Sequence, residues 1–131
     1  MRLCSIASGS SGNCIYVGSD NAHVLVDIGS SGKKMEAGLN SLELTGRDLD
    51  GILITHEHSD HIKGVGVIAR KYGIPIYATG GTVDAMLRTG SLGKLPEGIF
   101  REIKEDNPFM IKDLKINPFN IPHDAAQPVG Y

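Results

Sequence analysis

The sequence contains few cysteines and no long hydrophobic run, and these two absences limit what the protein can be. Its two cysteines, Cys4 and Cys14, stand far from the main group of histidines, which argues against a zinc finger and favours free, buried thiols. No apolar stretch approaches the length of a membrane-spanning helix, and the residues after Met1 lack the apolar core of a signal peptide. We therefore expect no membrane partner and a cytoplasmic location.

An excess of positive charge is also absent. The 131 residues include 13 Lys and Arg against 15 Asp and Glu, a formal net charge of −2, whereas nucleic-acid binders usually carry a basic face. The negative net charge does not exclude a nucleic-acid substrate, because bound divalent ions would add local positive charge. The length predicts a single domain over residues 1–131.

Apolar runs and turn-forming residues alternate along the chain in an order that predicts an α/β (α+β) fold. Strands come first, strands then alternate with helices, and further strands follow, which favours a mixed β-sheet with helices packed on it. The expected strands cover residues 3–7, 13–18, 23–28, 49–55, 74–78, 100–103, 109–111 and 114–119. The expected helices begin after Gly32 and cover residues 62–72 and 80–88.

The most informative segment is His56-Glu57-His58-Ser59-Asp60-His61, which directly follows an apolar strand. His56 and His58, two residues apart in an extended stretch, point to the same side. Asp60 and His61 open the next helix and can reach a neighbouring point. Imidazole is the commonest protein ligand of zinc-like metals, and a carboxylate beside it suits a second, harder ion. The segment therefore predicts a metal site.

A catalytic zinc-type site needs about three protein ligands, and His123 is the best candidate for the third. It follows an expected strand, and Pro122 stiffens its approach; the alternative is a lone surface histidine. Asp60 and His61 would serve a second ion, for which the sequence shows no recognisable bridging carboxylate. Histidine and aspartate suit zinc, manganese and iron, so the divalent metal stays open.

Asp27 and the loop over residues 8–13 each have two interpretations. The carboxylate of Asp27 ends an expected strand, where it can accept N–H bonds from the histidine segment and orient the metal ligands; it can equally cap a turn. The loop could present backbone amides to an anion, although a plain hairpin loop is favoured. A purely structural metal clip at residues 56–61 is disfavoured, because such sites usually use cysteine.

These residues together resemble the metallo-β-lactamase-fold hydrolases. The marker of that superfamily is H-x-H-x-D-H after a hydrophobic strand, and residues 56–61 match it at every specified position. Asp27 with Gly29 is similar to the first motif of the family, and His123 to its third. More narrowly, the chain resembles the YycJ branch, also called WalJ or VicX, through Ser8-Gly9-Ser10-Ser11-Gly12-Asn13-Cys14, residues 55–64, His123-Asp124-Ala125 and Pro128-Val129-Gly130-Tyr131.

The resemblance implies a metal-dependent hydrolase of the 5′-to-3′ DNA exonuclease type, which uses a metal-activated water and one or two ions. His56, His58 and His123 would hold the first ion, and Asp60 and His61 would contribute to the second. Asp60 would also orient the attacking water or accept its proton. Two alternatives stay open: a hydrolase of thioesters or lactones, and a metal-binding half-module without catalysis of its own.

The resemblance also implies that the chain covers about the first half of a four-layer αβ/βα sandwich. The bridging aspartate and the final histidine of the family have no counterpart before Tyr131, so we expect the C-terminal half of the fold to be absent. One face of the sheet would then be uncovered, unless a missing C-terminal half or the second copy of a homodimer packs on it.

Overall fold

A six-stranded sheet forms the centre of the protein. The computed structural model describes residues 1–9 and 12–131, and the strands of the sheet lie side by side in chain order. The first three strands pair antiparallel, whereas the third to the sixth are parallel, so the predicted mixed sheet is confirmed. The strands are β1 (Arg2–Ala7), β2 (Cys14–Gly18), β3 (His23–Val26), β4 (Gly51–Leu53), β5 (Ile76–Thr79) and β6 (Phe100–Ile103).

Helices connect the parallel strands, because the chain needs a crossover to return in the same direction. Strand residues Leu25, Ile52 and Ile76 are buried in one cluster with the helix residues Met35 and Ile68. The helices therefore pack on one face of the sheet, and the main core lies between them and that face. The helices are α1 (Gly32–Ser41), α2 (Ser59–Ile62), α3 (Val65–Tyr72) and α4 (Gly80–Thr89).

The opposite face of the sheet is only partly covered. An antiparallel hairpin of β7 (Phe109–Ile111) and β8 (Leu114–Ile116) packs there, and its Ile111 joins Val24 and Leu53 in a second, smaller apolar cluster. The face expected to be uncovered is thus covered in part by the chain's own hairpin. Beside the hairpin an apolar groove of about 170 Å³ is left open, and its lining includes Val17, Val26 and Tyr131.

The helix predicted over residues 62–72 is divided in the structure, because α2 ends at Ile62 and α3 begins at Val65. Gly64 lies at the break, where its N–H donates to the carbonyl of Ile28 at 2.7 Å. A Cβ atom at position 64 would lie 2.5 Å from the carbonyl oxygen of Ser30, so only glycine fits this approach. The break lets α2 lie directly against the segment that follows β3.

Several predicted strands are shorter than expected, for identifiable reasons. β3 ends at Val26 because Asp27 adopts a left-handed φ of 62°, and the strand predicted over residues 49–55 is regular only within β4. The strand predicted over residues 114–119 stops at the end of β8, since Pro118 has no N–H with which to continue a ladder. A separate strand β9 (Phe119–Asn120) pairs antiparallel with β10 (Val129–Gly130), and the loop between them carries His123.

Three further expectations concern the cysteines, the membrane and the loop over residues 8–13. Cys4 and Cys14 are free thiols, and burial raises the pKa of Cys14 to about 12. Within residues 1–9 and 12–131, no helix is long and apolar enough to span a bilayer. Ser10 and Ser11, which belong to the loop considered as an anion site, lie outside the described residues.

Candidate metal centre

The histidine cluster lies at one edge of the sheet, beyond the C-terminal ends of β3 and β4. These strands are parallel and in register, with Val26 opposite Leu53, so the segments that follow them leave the sheet side by side. Asp27 follows β3 directly, and its N–H still donates to the carbonyl of Leu53 at 2.8 Å. His56 comes three residues after the end of β4. The parallel pairing therefore places Asp27 under the histidine segment.

Three imidazoles are close enough together to hold one ion. His56, His58 and His123 each offer a ring nitrogen, and these nitrogens lie within 4.8 Å of one another. The Nε2 atoms of His56 and His123 are 3.1 Å apart, near the roughly 3.3 Å between two nitrogens that are each about 2.0–2.1 Å from one tetrahedral zinc. Three imidazoles with one coordination position open are a donor set that catalytic zinc uses. The residues therefore fit a single ion.

Asp27 is the buried carboxylate that supports this cluster, with 3% of its surface exposed. Its Oδ1 accepts the backbone N–H of Thr55 at 2.8 Å. Its Oδ2 accepts the hydroxyl of Thr55 at 2.7 Å and the Nδ1–H of His61 at 2.6 Å. Burial raises the pKa of Asp27, against the hydrogen bonds from His61 and Thr55, which lower it. The carboxylate thus fixes both the backbone and the side chains of the histidine segment.

These hydrogen bonds determine which nitrogen of two histidines carries a proton. Because the hydroxyl of Thr55 donates to Asp27, its oxygen accepts from the Nδ1–H of His56, 2.9 Å away. His61 donates its Nδ1–H to Asp27 directly. In both rings the lone pair is therefore on Nε2, an assignment that follows from the hydrogen-bond partners. A metal ligand that donates its other N–H to a carboxylate is oriented and made more basic.

Asp60 and His61 lie beside the three imidazoles but do not form a second complete site. The ring centroids of His61 and His56 are 4.0 Å apart, and Nε2 of His61 is 3.8 Å from Oδ2 of Asp60. In the part of the chain that the structure describes, the one group of three or more potential metal ligands is His56, His58 and His123. Asp60 and His61 can therefore give two donors to a second ion, which needs others.

Thr55 and Asn13 make contacts at this centre that the sequence pattern does not indicate. The side-chain Nδ2 of Asn13 lies 3.3 Å from Oδ2 of Asp60 and 3.2 Å from Nε2 of His61. Its backbone N–H donates to the carbonyl of Asp60 at 2.8 Å. Asn13, directly before β2, is therefore docked on the histidine segment. An asparagine at the end of a Gly- and Ser-rich loop is the one signal that the sequence offers. His23 lies away from this centre and hydrogen-bonds to the hydroxyl of Tyr16 at 2.6 Å.

Burial and neighbouring charges shift the pKa values of His56 and His61 in opposite directions. Burial, together with the nearby imidazoles of His61, His123 and His58, lowers the pKa of His56 to about 4. Burial also lowers the pKa of His61, but the hydrogen bond to Asp27 and the charges of Asp27 and Asp60 outweigh it and raise the pKa overall. His56 therefore stays neutral, as a metal ligand must be, well below the pH at which a free histidine takes up a proton.

We expect the metal-free chain to lose stability as the pH falls from 6.5 towards 4 because of His56. In this window the unfolded chain protonates His56 and the folded chain does not, so the unfolded state binds more protons and the free energy of unfolding rises with pH. The measurement is the midpoint of urea unfolding between pH 4 and 7 in the presence of EDTA. The His56→Gln variant should show a shallower slope; an equal slope in both proteins would contradict the assignment.

Comparison of this sequence with known proteins shows the family to which the chain belongs. A family model described as the Metallo-beta-lactamase superfamily matches residues 7–126. The chain belongs to that superfamily. It is 44% identical to Exodeoxyribonuclease YycJ of Bacillus anthracis over 139 residues, with 100% of this chain and 49% of the relative covered. It is also 44% identical to Exodeoxyribonuclease WalJ of Streptococcus pneumoniae strain D39 over 126 residues, with 96% of this chain and 47% of that protein covered. The chain thus spans about half the length of the curated relatives it matches.

Solved metallo-beta-lactamases share the fold. The subclass B3 enzyme MEM-A1, from a soil metagenome library, aligns with a TM-score of 0.78 at 22% identity, covering 97% of this chain and 52% of the other. The α/β fold expected from the sequence is confirmed, as is the resemblance to the superfamily. The metallo-beta-lactamase fold implies binding of divalent metal, and the three imidazoles at the strand ends agree with it.

Proposed function

We propose that this chain provides the metal-binding half of a DNA exonuclease that hydrolyses phosphodiester bonds from the 5′ end. The observation that carries the proposal is the three-imidazole cluster, with the Nε2 lone pairs of His56 and His61 set by hydrogen bonds that lead to Asp27. The choice of DNA is supported by the 44% identity to two exodeoxyribonucleases over nearly the whole chain, and the 5′ direction is what the resemblance to the YycJ branch implies.

We assign His56, His58 and His123 as the ligands of the first ion, and Asp60 and His61 as donors to a second. Zinc, manganese and iron all suit this set of donors. A bound divalent ion would lower the pKa of water and offset negative charge on the phosphodiester. His56 is neutral before any ion arrives, because its pKa is lowered to about 4, so this ligand releases no proton when it binds an ion near neutral pH.

Asp60 is the carboxylate that we assign to proton transfer. Its side chain is 41% exposed, whereas that of Asp27 is 4% exposed and accepts three hydrogen bonds. Asp60 can therefore accept the proton of the attacking water while a water–phosphorus bond forms, and return it to the oxygen that leaves as the phosphodiester bond breaks. Asn13 holds the Asp60 carboxylate in place through its side-chain amide.

We further propose that a C-terminal half packs against the open face of the sheet and supplies the remaining donors of the second ion. The apolar groove beside the β7–β8 hairpin, lined in part by Val17, Val26 and Tyr131, is the surface that such a layer would cover. The relatives, of which this chain covers about half, support the same division. A second copy of the chain, as a homodimer, is the other occupant that the test below detects.

The test is a DNA digestion with the chain alone and with the chain co-expressed with the C-terminal half of the Bacillus anthracis relative. We expect the pair to release nucleotides from the labelled 5′ end of DNA when zinc or manganese is present, and to stop when EDTA is added. Elemental analysis should give at least one ion for each chain alone and about two for each pair. An ion-loaded pair that leaves DNA intact, or that digests only from the 3′ end, would contradict the proposed function. Two ions and activity in the chain alone, at the size of a dimer, would favour the homodimer.

A further inference from the structure

Glu57 lies between two of the proposed ligands in sequence, yet its side chain serves a different segment. Its Oε2 accepts the backbone N–H of Ala126 at 3.0 Å. Its Oε1 is buried and has no hydrogen-bond partner among the described residues. The superfamily motif specifies no residue type at this position, so the motif does not explain the buried carboxylate. The contact joins the histidine segment after β4 to the loop that carries His123.

The loop around His123 has few other connections to the protein. After the loop, Gln127 is held by Thr79 and Thr82, whose hydroxyls lie 2.9 and 3.3 Å from its carbonyl oxygen, and by the N–H of Gly81, which donates to its side chain. For residues 121–126 of the described chain, only two hydrogen bonds reach another segment. One is the contact from Glu57 to Ala126, and the other joins Nε2 of His123 to Nε2 of His56.

The second of these bonds cannot persist when an ion is bound. Both Nε2 atoms must then direct their lone pairs at the ion, so neither can donate a proton to the other. The hydrogen bond from Ala126 to the Glu57 carboxylate is then the one that still joins residues 121–126 to another segment of the described chain. A hydrogen bond to an ionised acceptor is roughly twice as strong as a neutral one. Glu57 is therefore placed to restrict where the imidazole of His123 can lie.

We infer that Glu57 is a positioning residue, which holds the His123 loop over the other two imidazoles and so raises the affinity of the first metal site. The inference rests on the proposed function and adds to it a residue that touches neither ion nor substrate. Removing a hydrogen bond that orients a metal ligand typically lowers metal affinity by about 10- to 100-fold. The same range is expected when the acceptor at position 57 is lost.

The experiment compares zinc affinity, measured by calorimetric titration of the metal-free chain, in Glu57→Met and Glu57→Gln. The two replacements have similar length, but only glutamine keeps an oxygen that can accept from Ala126. We expect Glu57→Met to bind zinc about 10- to 100-fold more weakly than the unmodified chain, and Glu57→Gln to stay within about threefold of it, since its amide still accepts the hydrogen bond. Glu97→Met, at an exposed glutamate in the loop before β6, is the matched control and should bind normally.

Two further readouts separate positioning from a general loss of structure. In a His123→Ala background, Glu57→Met should cause no additional loss of affinity, because the ligand that it positions is gone. By NMR, zinc should shift the imidazole signals of His56 and His58 in Glu57→Met, while those of His123 shift much less than in the unmodified chain. A full loss that persists in the His123→Ala background would overturn the inference.

The outcomes distinguish this inference from the proposed function. An unmodified chain that binds no zinc would overturn the metal centre and, with it, the role of Glu57. Normal zinc binding by both the unmodified chain and a folded Glu57→Met would overturn the role of Glu57 alone. Should Glu57→Met prove unfolded by circular dichroism, Glu57→Ala takes its place: a loss of zinc affinity of about tenfold or more supports the role of the hydrogen bond, and affinity near that of the unmodified chain contradicts it.

Discussion

Replacing Asp27 by alanine is expected to lower the free energy of unfolding by about 3 to 5 kcal/mol, since each buried hydrogen-bonding group left without its partner costs about 1 to 3 kcal/mol. The carboxylate is buried and accepts from Thr55 twice and from His61 once. Without this carboxylate, the N–H and the hydroxyl of Thr55 and the Nδ1–H of His61 lose the acceptor that replaces water in the folded protein. Alanine also tolerates the left-handed backbone at this position, φ 62°, less well than aspartate does. For a chain of this length the loss corresponds to a Tm lower by roughly 11 to 18 °C.

Asp27→Asn is the matched control for the backbone contribution, because asparagine also tolerates the left-handed region. It keeps one oxygen for the N–H of Thr55 but puts an NH2 group where Oδ2 accepts from His61. We expect a smaller loss of stability than in Asp27→Ala, together with weaker zinc binding. The hydroxyl of Thr55 could no longer donate to position 27, so the hydrogen bonds that keep the lone pair of His56 on Nε2 would be lost. Thermal unfolding by circular dichroism and zinc titration measure the two effects. Equal Tm values for Asp27→Ala and the unmodified chain would contradict this account.

Replacing His58 by alanine is expected to abolish tight zinc binding and to lower DNA hydrolysis by the complemented pair at least about a thousandfold. A catalytic ion supplies several kcal/mol of stabilisation to the transition state, and each 1.36 kcal/mol corresponds to a factor of ten in rate. His58 is half-buried at the edge of the fold, so the fold should remain intact. Calorimetric zinc titration and digestion of 5′-labelled DNA measure the two losses.

His23→Gln is the matched control, because it replaces a histidine that lies away from the cluster. His23 is the first residue of β3, whereas Asp27 follows the last residue of that strand. It should keep both zinc binding and hydrolysis. If His58→Ala binds zinc like the unmodified chain, the assignment of the first ion is wrong. If the complemented pair binds zinc but hydrolyses no DNA, with or without His58, a metal-binding module without catalysis is the better description.

The candidate ligands His56 and His58 could be proposed from the sequence because the pattern that indicates them is local. An apolar strand followed by His56, His58 and Asp60 places imidazoles on one side and a carboxylate at the start of a helix, and residue spacing alone predicts this. The mixed sheet and its helices followed from the order of apolar runs in the same way. His123 could be proposed because the first site needed a third ligand.

The connections between distant segments could not be predicted, because no local pattern records them. The sequence does not show that the carboxylate of Glu57 meets an N–H 69 residues later, or that Asn13 reaches Asp60, 47 residues away. The break between α2 and α3 has the same origin. The helix is interrupted at Gly64 because a distant segment, at Ile28 and Ser30, packs against the backbone there.

The distance along the chain between His56 and His123, 67 residues, links metal supply to the lifetime of the folded protein. An unfolded chain must close a long loop to bring these two side chains together, at an entropic cost, so it competes poorly for the ion. By mass action, free metal at about a thousand times its Kd would then favour the native state by about 4 kcal/mol. Proteases cleave the unfolded state, and its population would be far smaller at high metal concentration than at low metal concentration. The chain should therefore be degraded more slowly when metal is plentiful.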